Sequence, residues 1–190
     1  MQITTERLVL REFVEGDWPV VLAYQTDPRY LRFYGWTGRT AYDVRDFVQM
    51  FIDQQQEQPR RKHQLAITLK PNRQLIGNVG IRRKNADDWE ADIGYELAPE
   101  HWGRGYATEA ARAILAFGFD DLKLHRVWAW CIAENTASVR VLEKIGMRLE
   151  GRLRENEWIK NRWYDSLVYA ILDREWQAIA SSLGPQPSSF

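Results

Sequence analysis

The hydrophobic period changes partway along the chain, and that change excludes most architectures. Gln64 to Leu69, Leu75 to Arg83 and Ala91 to Leu97 read as three strands joined by polar turns at Pro71-Asn72 and Asn85 to Asp88. Beyond Gly105 the apolar positions take the helical spacing from about Tyr106 to Asp121. A strand over Arg126 to Ile132 follows, then a helix from about Thr136 to Ile145, and two strands near Met147 to Glu155 and Trp163 to Leu172 that fit a hairpin. An antiparallel meander leading into a strand, helix, strand crossover requires a mixed α/β fold. Upstream, Arg7 to Arg11 alternates in the strand period, and Asp17 suits the cap of a helix that Asp27-Pro28 ends near Gln25. Thr40 with Asp43 resembles a capping box that opens a helix to about Gln56. Val44, Phe47, Val48, Phe51 and Ile52 then share one face of it.

No repeat or composition shift interrupts residues 1–183, so a single domain is expected there, with 184–190 as a flexible tail. At 190 residues and 45% hydrophobic content the chain can build one sizeable core. Its 26 Lys plus Arg balance 26 Asp plus Glu, which gives no reason to expect nucleic acid or an anionic membrane as a partner. No stretch approaches the roughly 18 apolar residues of a membrane span, and a cytoplasmic location is expected. The single cysteine, Cys131, lies within the apolar run Val127 to Ile132 and reads as a small hydrophobe. Nine Trp, eight Tyr and seven Phe are enough to fill a core or to line a cleft.

Two segments carry chemistry. Glu100-His-Trp-Gly-Arg-Gly-Tyr-Ala-Thr-Glu-Ala-Ala111 follows a strand and opens a helix. Its glycines permit close backbone approach, and the first helical turn offers unpaired N–H groups at a positive dipole end, a fit for a pyrophosphate. An ordinary Gly-rich turn has the same pattern. No Gly-Lys-Ser/Thr follows, and the upstream meander is not the setting of a dinucleotide-binding βαβ unit. In the second segment, Asn135 and Ser138 start a helix three residues apart, so both polar groups lie on one side of its first turn. They suit either a ligand or local capping.

Taken in order, these segments resemble the GNAT acetyltransferase superfamily, in the branch of the RimJ/RimL ribosomal-protein N-terminal acetyltransferases. Thr5-Glu-Arg-Leu-Val-Leu-Arg11, Leu75-Ile-Gly-Asn-Val-Gly80, Asp92-Ile-Gly-Tyr-Glu-Leu97, Asn135 to Gly146 and Gly151 to Arg154 carry the resemblance. It implies a mixed, mostly antiparallel sheet of about seven strands, flanked by helices and splayed between its fourth and fifth strands, here Ala91 to Leu97 and Arg126 to Ile132. It implies acetyl-CoA as co-substrate, with the pantetheine arm in the splay and no metal. The family's pyrophosphate motif, Gln/Arg-x-x-Gly-x-Gly/Ala, falls on Trp102, Gly105 and Ala107. The loop so implied runs through Gly103, Arg104 and Tyr106 to Thr108. Trp102 departs from the usual polar residue. Asn135 matches the asparagine at the thiol end, and Ser138 matches a serine proposed to protonate the departing thiolate. The tyrosine used by other members falls at Leu142, so the donor is Ser138, water or a tyrosine from elsewhere. Relatives are often dimers.

The implied reaction is direct attack of an amine on the thioester, without a covalent enzyme intermediate. A backbone N–H at Leu97 or Ala98 is expected to polarise the carbonyl, because a splayed strand leaves donors unpaired. Glu96 alternates with Ile93, Tyr95 and Leu97 and is the best-placed base, although a paired or solvated strand carboxylate reads the same way. His63, His101 and His125 lack the spacing of a metal site. Tyr34, Trp36 and Trp158 are candidates for the acceptor wall. The expected acceptor is a primary amine, of a protein N-terminus or of a small molecule, and the alternative reading is a coenzyme A-binding regulatory or interaction domain without catalysis.

Overall fold

The computed structural model describes residues 1–183; the expected flexible tail, 184–190, lies outside the described residues. Eight strands form one sheet: β1 (Gln2–Thr4), β2 (Leu8–Glu12), β3 (Lys62–Leu69), β4 (Leu75–Arg82), β5 (Glu90–Leu97), β6 (Arg126–Ile132), β7 (Arg148–Ile159) and β8 (Arg162–Leu172). Across the sheet they lie in the order β1-β2-β3-β4-β5-β6-β8-β7. Every neighbouring pair is antiparallel except β5 and β6. The sequence leads one to expect about seven strands; the eighth is β1, whose three residues pair with β2 through Ile3 opposite Leu10 and are too few to show a period.

Five α-helices cover the sheet: α1 (Trp18–Gln25), α2 (Ala41–Gln54), α3 (Tyr106–Ala116), α4 (Thr136–Lys144) and α5 (Asp173–Leu183). The capping box of α2 forms. The Thr40 hydroxyl accepts from the Asp43 N–H at 3.2 Å, and the Asp43 carboxylate accepts from the Thr40 N–H at 2.7 Å. α3 continues into a wider π-helical turn over Phe117–Asp121. α5 has no counterpart in the expectations, yet Trp176, Ile179 and Ala180 repeat at helical spacing and pack on the core, with Trp176 stacked on Phe119.

Strand alternation divides the interior in two. In β3, Leu65 and Ile67 join the apolar cluster under α3, α4 and α5, while Ala66 between them joins the cluster under α1 and α2. α3 therefore anchors through Ala110, Ala111, Ile114 and Leu115, all fully buried, and packs on β5, β4 and β2. Charges that look free in sequence are paired. Arg60 grips the Glu12 carboxylate at 2.7 and 3.0 Å, Asp92 accepts from Arg82, and Glu90 pairs with Arg126 at 3.0 Å. Among the described residues no helix is long and apolar enough to cross a membrane.

Candidate active site

The site begins where β5 and β6 part. They pair at Glu90–Arg126, Ala91–Val127 and Asp92–Trp128, after which no partner joins the two strands, so β5 from Ile93 to Leu97 borders an opening. In an antiparallel ladder successive residues turn their backbone groups to opposite neighbours. The Ala98 N–H donates to Ile76 O at 2.8 Å, toward β4. Ala98 is thereby removed as a donor to a bound carbonyl, which corrects the expectation for that residue. The Leu97 N–H, one step back in the alternation, is directed toward the opening. The Leu97 carbonyl on the same edge accepts from the Trp102 indole N–H at 2.8 Å. Trp102 thus ties the end of β5 to the loop that follows.

That loop reverses sharply. Gly103 and Gly105 have φ of 73° and 80°, in the left-handed region that a β-branched residue avoids, and Gly105 caps α3. The Glu109 N–H is the first to bond back to Gly105 O, so the N–H groups of Tyr106, Ala107 and Thr108 point out of the helix end. A carboxylate in this first turn would repel an anion, and Glu109 is neutralised. Its side chain accepts from the Thr5 hydroxyl at 2.6 Å, from the Arg7 N–H at 2.8 Å and from the Arg7 guanidinium at 2.6 Å. Burial pushes the Glu109 carboxyl up, but these contacts outweigh it and hold it below its usual range. Arg7 also donates to Arg104 O at 3.0 Å and lies over the Tyr106 ring, so it braces the loop from β2's side. Sequence reading assigns Arg7 only to a strand; its partner lies 102 positions away.

At the amino end of α4, the Asn135 carboxamide oxygen accepts from the Ser138 N–H at 3.2 Å, so Asn135 is engaged as a cap. The Ser138 hydroxyl lies 2.9 Å from the Tyr95 phenol, which reaches across from β5. Leu142 is buried in the core. Beside them, burial pushes the Cys131 thiol up to about 11, tempered by its hydrogen bond with Ser138, so it stays protonated and inert.

The other face of β5 carries Glu96. Its carboxylate accepts from Tyr24 at 2.7 Å, from Gln25 at 3.0 Å, and from Tyr30 and Asn78 over short contacts. Asn78 stands opposite Glu96 in the β4–β5 register. The polar chain extends both ways, through Gln25 to Arg39 at 2.8 Å and through Asn78 to Gln64. Burial, followed by the Glu96 charge, pushes the phenols of Tyr24, Tyr30 and Tyr34 up. Tyr34 stacks on Tyr30 and Trp36 packs at a tilt against Tyr34, each at 4.6 Å, which makes a ladder of rings from the carboxylate to the exposed Trp36. Trp158 stands apart from this ladder and packs on Trp163, but it belongs to the hairpin whose tip reaches the ladder's loop, where Lys160 donates to Leu31 O at 2.8 Å. None of Tyr24, Gln25, Tyr30 or Asn78 has a local sequence signal that would have named it.

The chain is similar to known proteins in sequence and in fold. Residues 7–148 match the acetyltransferase (GNAT) domain family. The chain is 36% identical over 176 residues to the uncharacterized N-acetyltransferase YnaD of Bacillus subtilis (strain 168), covering 93% of this chain and 99% of that one. Its structure is similar to that of an acetyltransferase (GNAT family) from Bacillus anthracis, with a TM-score of 0.80 at 34% identity over 92% of this chain and 99% of the other. A third similarity, at 20% identity and a TM-score of 0.79 over 90% and 98% of the two chains, is to RimL, a ribosomal L7/L12 alpha-N-protein acetyltransferase in complex with coenzyme A, and concerns the fold.

Proposed function

The chain belongs to the GNAT acetyltransferase family and is an acetyl-CoA-dependent N-acetyltransferase; from that premise we propose that it acetylates a primary amine of a protein N-terminus or a small molecule by direct attack. The RimJ/RimL branch and a cytoplasmic location are part of this reading. Its support is one observation: β5 borders an opening and presents Glu96 on one side of the sheet and Tyr95 with Ser138 on the other.

Acetyl-CoA supplies the thioester. The chain's own fit to it is a helix end with outward N–H groups, two left-handed glycines and a neutralised first-turn carboxylate. Trp102 to Thr108 would hold the pyrophosphate, and Asn135 would mark the thiol end. The Leu97 N–H would polarise the thioester carbonyl. Ser138 would give the departing sulfur its proton, and Glu96 would accept the proton shed by the amine. Three donors converge on Glu96 Oε1 and Tyr30 on Oε2, so Oε2 is the oxygen with room for an ammonium or a relaying water. Tyr34, Trp36 and Trp158 would wall the acceptor's approach. A free-thiol release assay with acetyl-CoA against peptide N-termini, polyamines and aminoglycosides tests the reading. Release with one class names the acceptor, and tight acetyl-CoA binding with no release from any amine would move the chain to a non-catalytic coenzyme A-binding role.

A further inference from the structure

We infer that Tyr95 is a positioning residue for acetyl transfer, its phenol turning the Ser138 hydroxyl so that the serine proton points into the opening between β5 and β6. The inference rests on the assignment of Ser138 to the thiol end.

The contact joins β5, one border of the opening, to α4, the helix that follows β6. Tyr95 stands on β5 beyond the last residue paired to β6, and Ser138 stands in the first turn of α4. The phenol oxygen lies 2.9 Å from Ser138 Oγ and 3.1 Å from Ser138 O. A phenol has one proton for these two acceptors, which leaves two arrangements. If Tyr95 donates to the carbonyl, the serine hydroxyl donates back to the phenol and its proton is turned away from the opening. If Tyr95 donates to Oγ, the serine proton is released to another acceptor, the Cys131 sulfur at rest or a sulfur in the opening. Negative charge developing on a sulfur in the opening selects the second arrangement.

The surroundings keep Tyr95 in the donor's part. Burial raises the phenol, with the Ser138 contact pulling slightly the other way, so Tyr95 remains protonated at any working pH. The Ser138 N–H is already committed to Asn135 at 3.2 Å, which fixes the backbone that carries the hydroxyl. During transfer the amine nitrogen bonds the acyl carbon, and the carbon–sulfur bond breaks with its electron pair on sulfur. A proton passes from Ser138 Oγ to sulfur, Ser138 recovers one from water, and the proton that nitrogen sheds passes through Glu96 to solvent and makes that one good. Tyr95 keeps its own throughout.

Tyr95→Phe keeps the ring and removes the hydroxyl. The expected result is a kcat about 10-fold lower, the worth of one hydrogen bond at the transition state, with calorimetric acetyl-CoA affinity close to wild type and a thermal midpoint lowered by no more than about 2–4 °C. A double-mutant cycle decides between positioning and packing: in a Ser138→Ala background the same substitution should have no further effect on kcat. Wild-type kcat in Tyr95→Phe while Ser138→Ala is impaired overturns the role of Tyr95 and leaves that of Ser138. Wild-type kcat in Ser138→Ala overturns both. A Tyr95→Phe loss of equal size in both backgrounds, or one carried by KM alone, also overturns it.

Discussion

Tyr95 and Glu96 are neighbours on β5 that face opposite sides of the sheet, and the two sides are built differently. Around Glu96 four donors from α1, the Tyr30 turn and β4 converge on one half-buried carboxylate. Around Tyr95 only neutral contacts cross to α4, from the phenol to the hydroxyl and carbonyl of Ser138, among apolar neighbours and backbone N–H groups at helix ends. Hydrogen bonds to a charged group contribute about 1.5–3 kcal/mol each, against about 0.5–1.5 kcal/mol for neutral ones. The charged side is therefore rigid before any ligand arrives, whereas the neutral side has backbone donors left for one. On the proposed reading, strand alternation would separate the handling of the amine from that of the thiol by one residue.

The strongest way to break this contrast is Glu96→Gln. The amide has one acceptor oxygen in place of two and brings N–H donors to face those of Tyr24, Gln25 and Asn78. Stability should fall by about 2–3 kcal/mol in urea unfolding, and turnover by about 1000-fold, the upper part of the range for a general base. The turnover deficit should narrow at high pH, where more acceptor arrives neutral. A Gln variant that is as stable and active as wild type would show that this side is not organised around a charge.

On the other side the largest effect is expected at Gly105. Its φ of 80° is strained for any branched side chain, and an added Cβ would also stand 3.4 Å from the Arg7 guanidinium that braces the loop. Gly105→Val should weaken acetyl-CoA binding about 100-fold by calorimetry, in line with the loss of a few kcal/mol of fit. Unchanged affinity in the folded variant would reduce the loop to a turn.

The same contrast explains what the sequence revealed. The meander, the capping box of α2, the strand before Pro99 and the Gly-rich entry to α3 were legible because each is written in residues close together. The facing of Glu96 away from Tyr95 followed from alternation alone. Its partners did not: Tyr24, Gln25 and Tyr30 lie 72, 71 and 66 positions from it, and their convergence is a product of tertiary packing. The Tyr95–Ser138 contact, 43 positions apart, was hidden for the same reason. Ala98 was misassigned because backbone register, which spends its N–H on Ile76, cannot be read from residue types. α5 was a different failure, since the spacing of Trp176, Ile179 and Ala180 was present in the sequence.

A milder test is Ser138→Ala, expected to lower kcat about 10- to 100-fold while acetyl-CoA affinity is retained, because water can partly replace the hydroxyl as donor. Single-turnover thiol release separates this loss from product dissociation. An equal loss in affinity would place Ser138 in binding instead of chemistry and make the neutral side a holding surface only.

The smallest expected effects compare one phenol from each side. Tyr24→Phe removes a donor to a carboxylate, so unfolding at pH 7 should show a loss of about 1.5–2 kcal/mol; Tyr95→Phe removes a neutral contact and should cost about 0.5–1 kcal/mol. Both phenols are raised by burial, that of Tyr24 further by the Glu96 charge, and an unfolded tyrosine titrates near 10. Above about pH 10 the unfolded chain has lost protons that the folded chain still holds, so the stability these groups contribute is complete below that pH and declines as pH rises toward their folded values. Each Phe variant lacks one such group, and its deficit relative to wild type should therefore narrow in alkali. Denaturant midpoints taken from pH 7 to 11 give both quantities. Equal deficits at pH 7 would mean that the Glu96 charge strengthens nothing around it, and a deficit of constant size across the range would mean that the lost phenol was never held protonated by the fold.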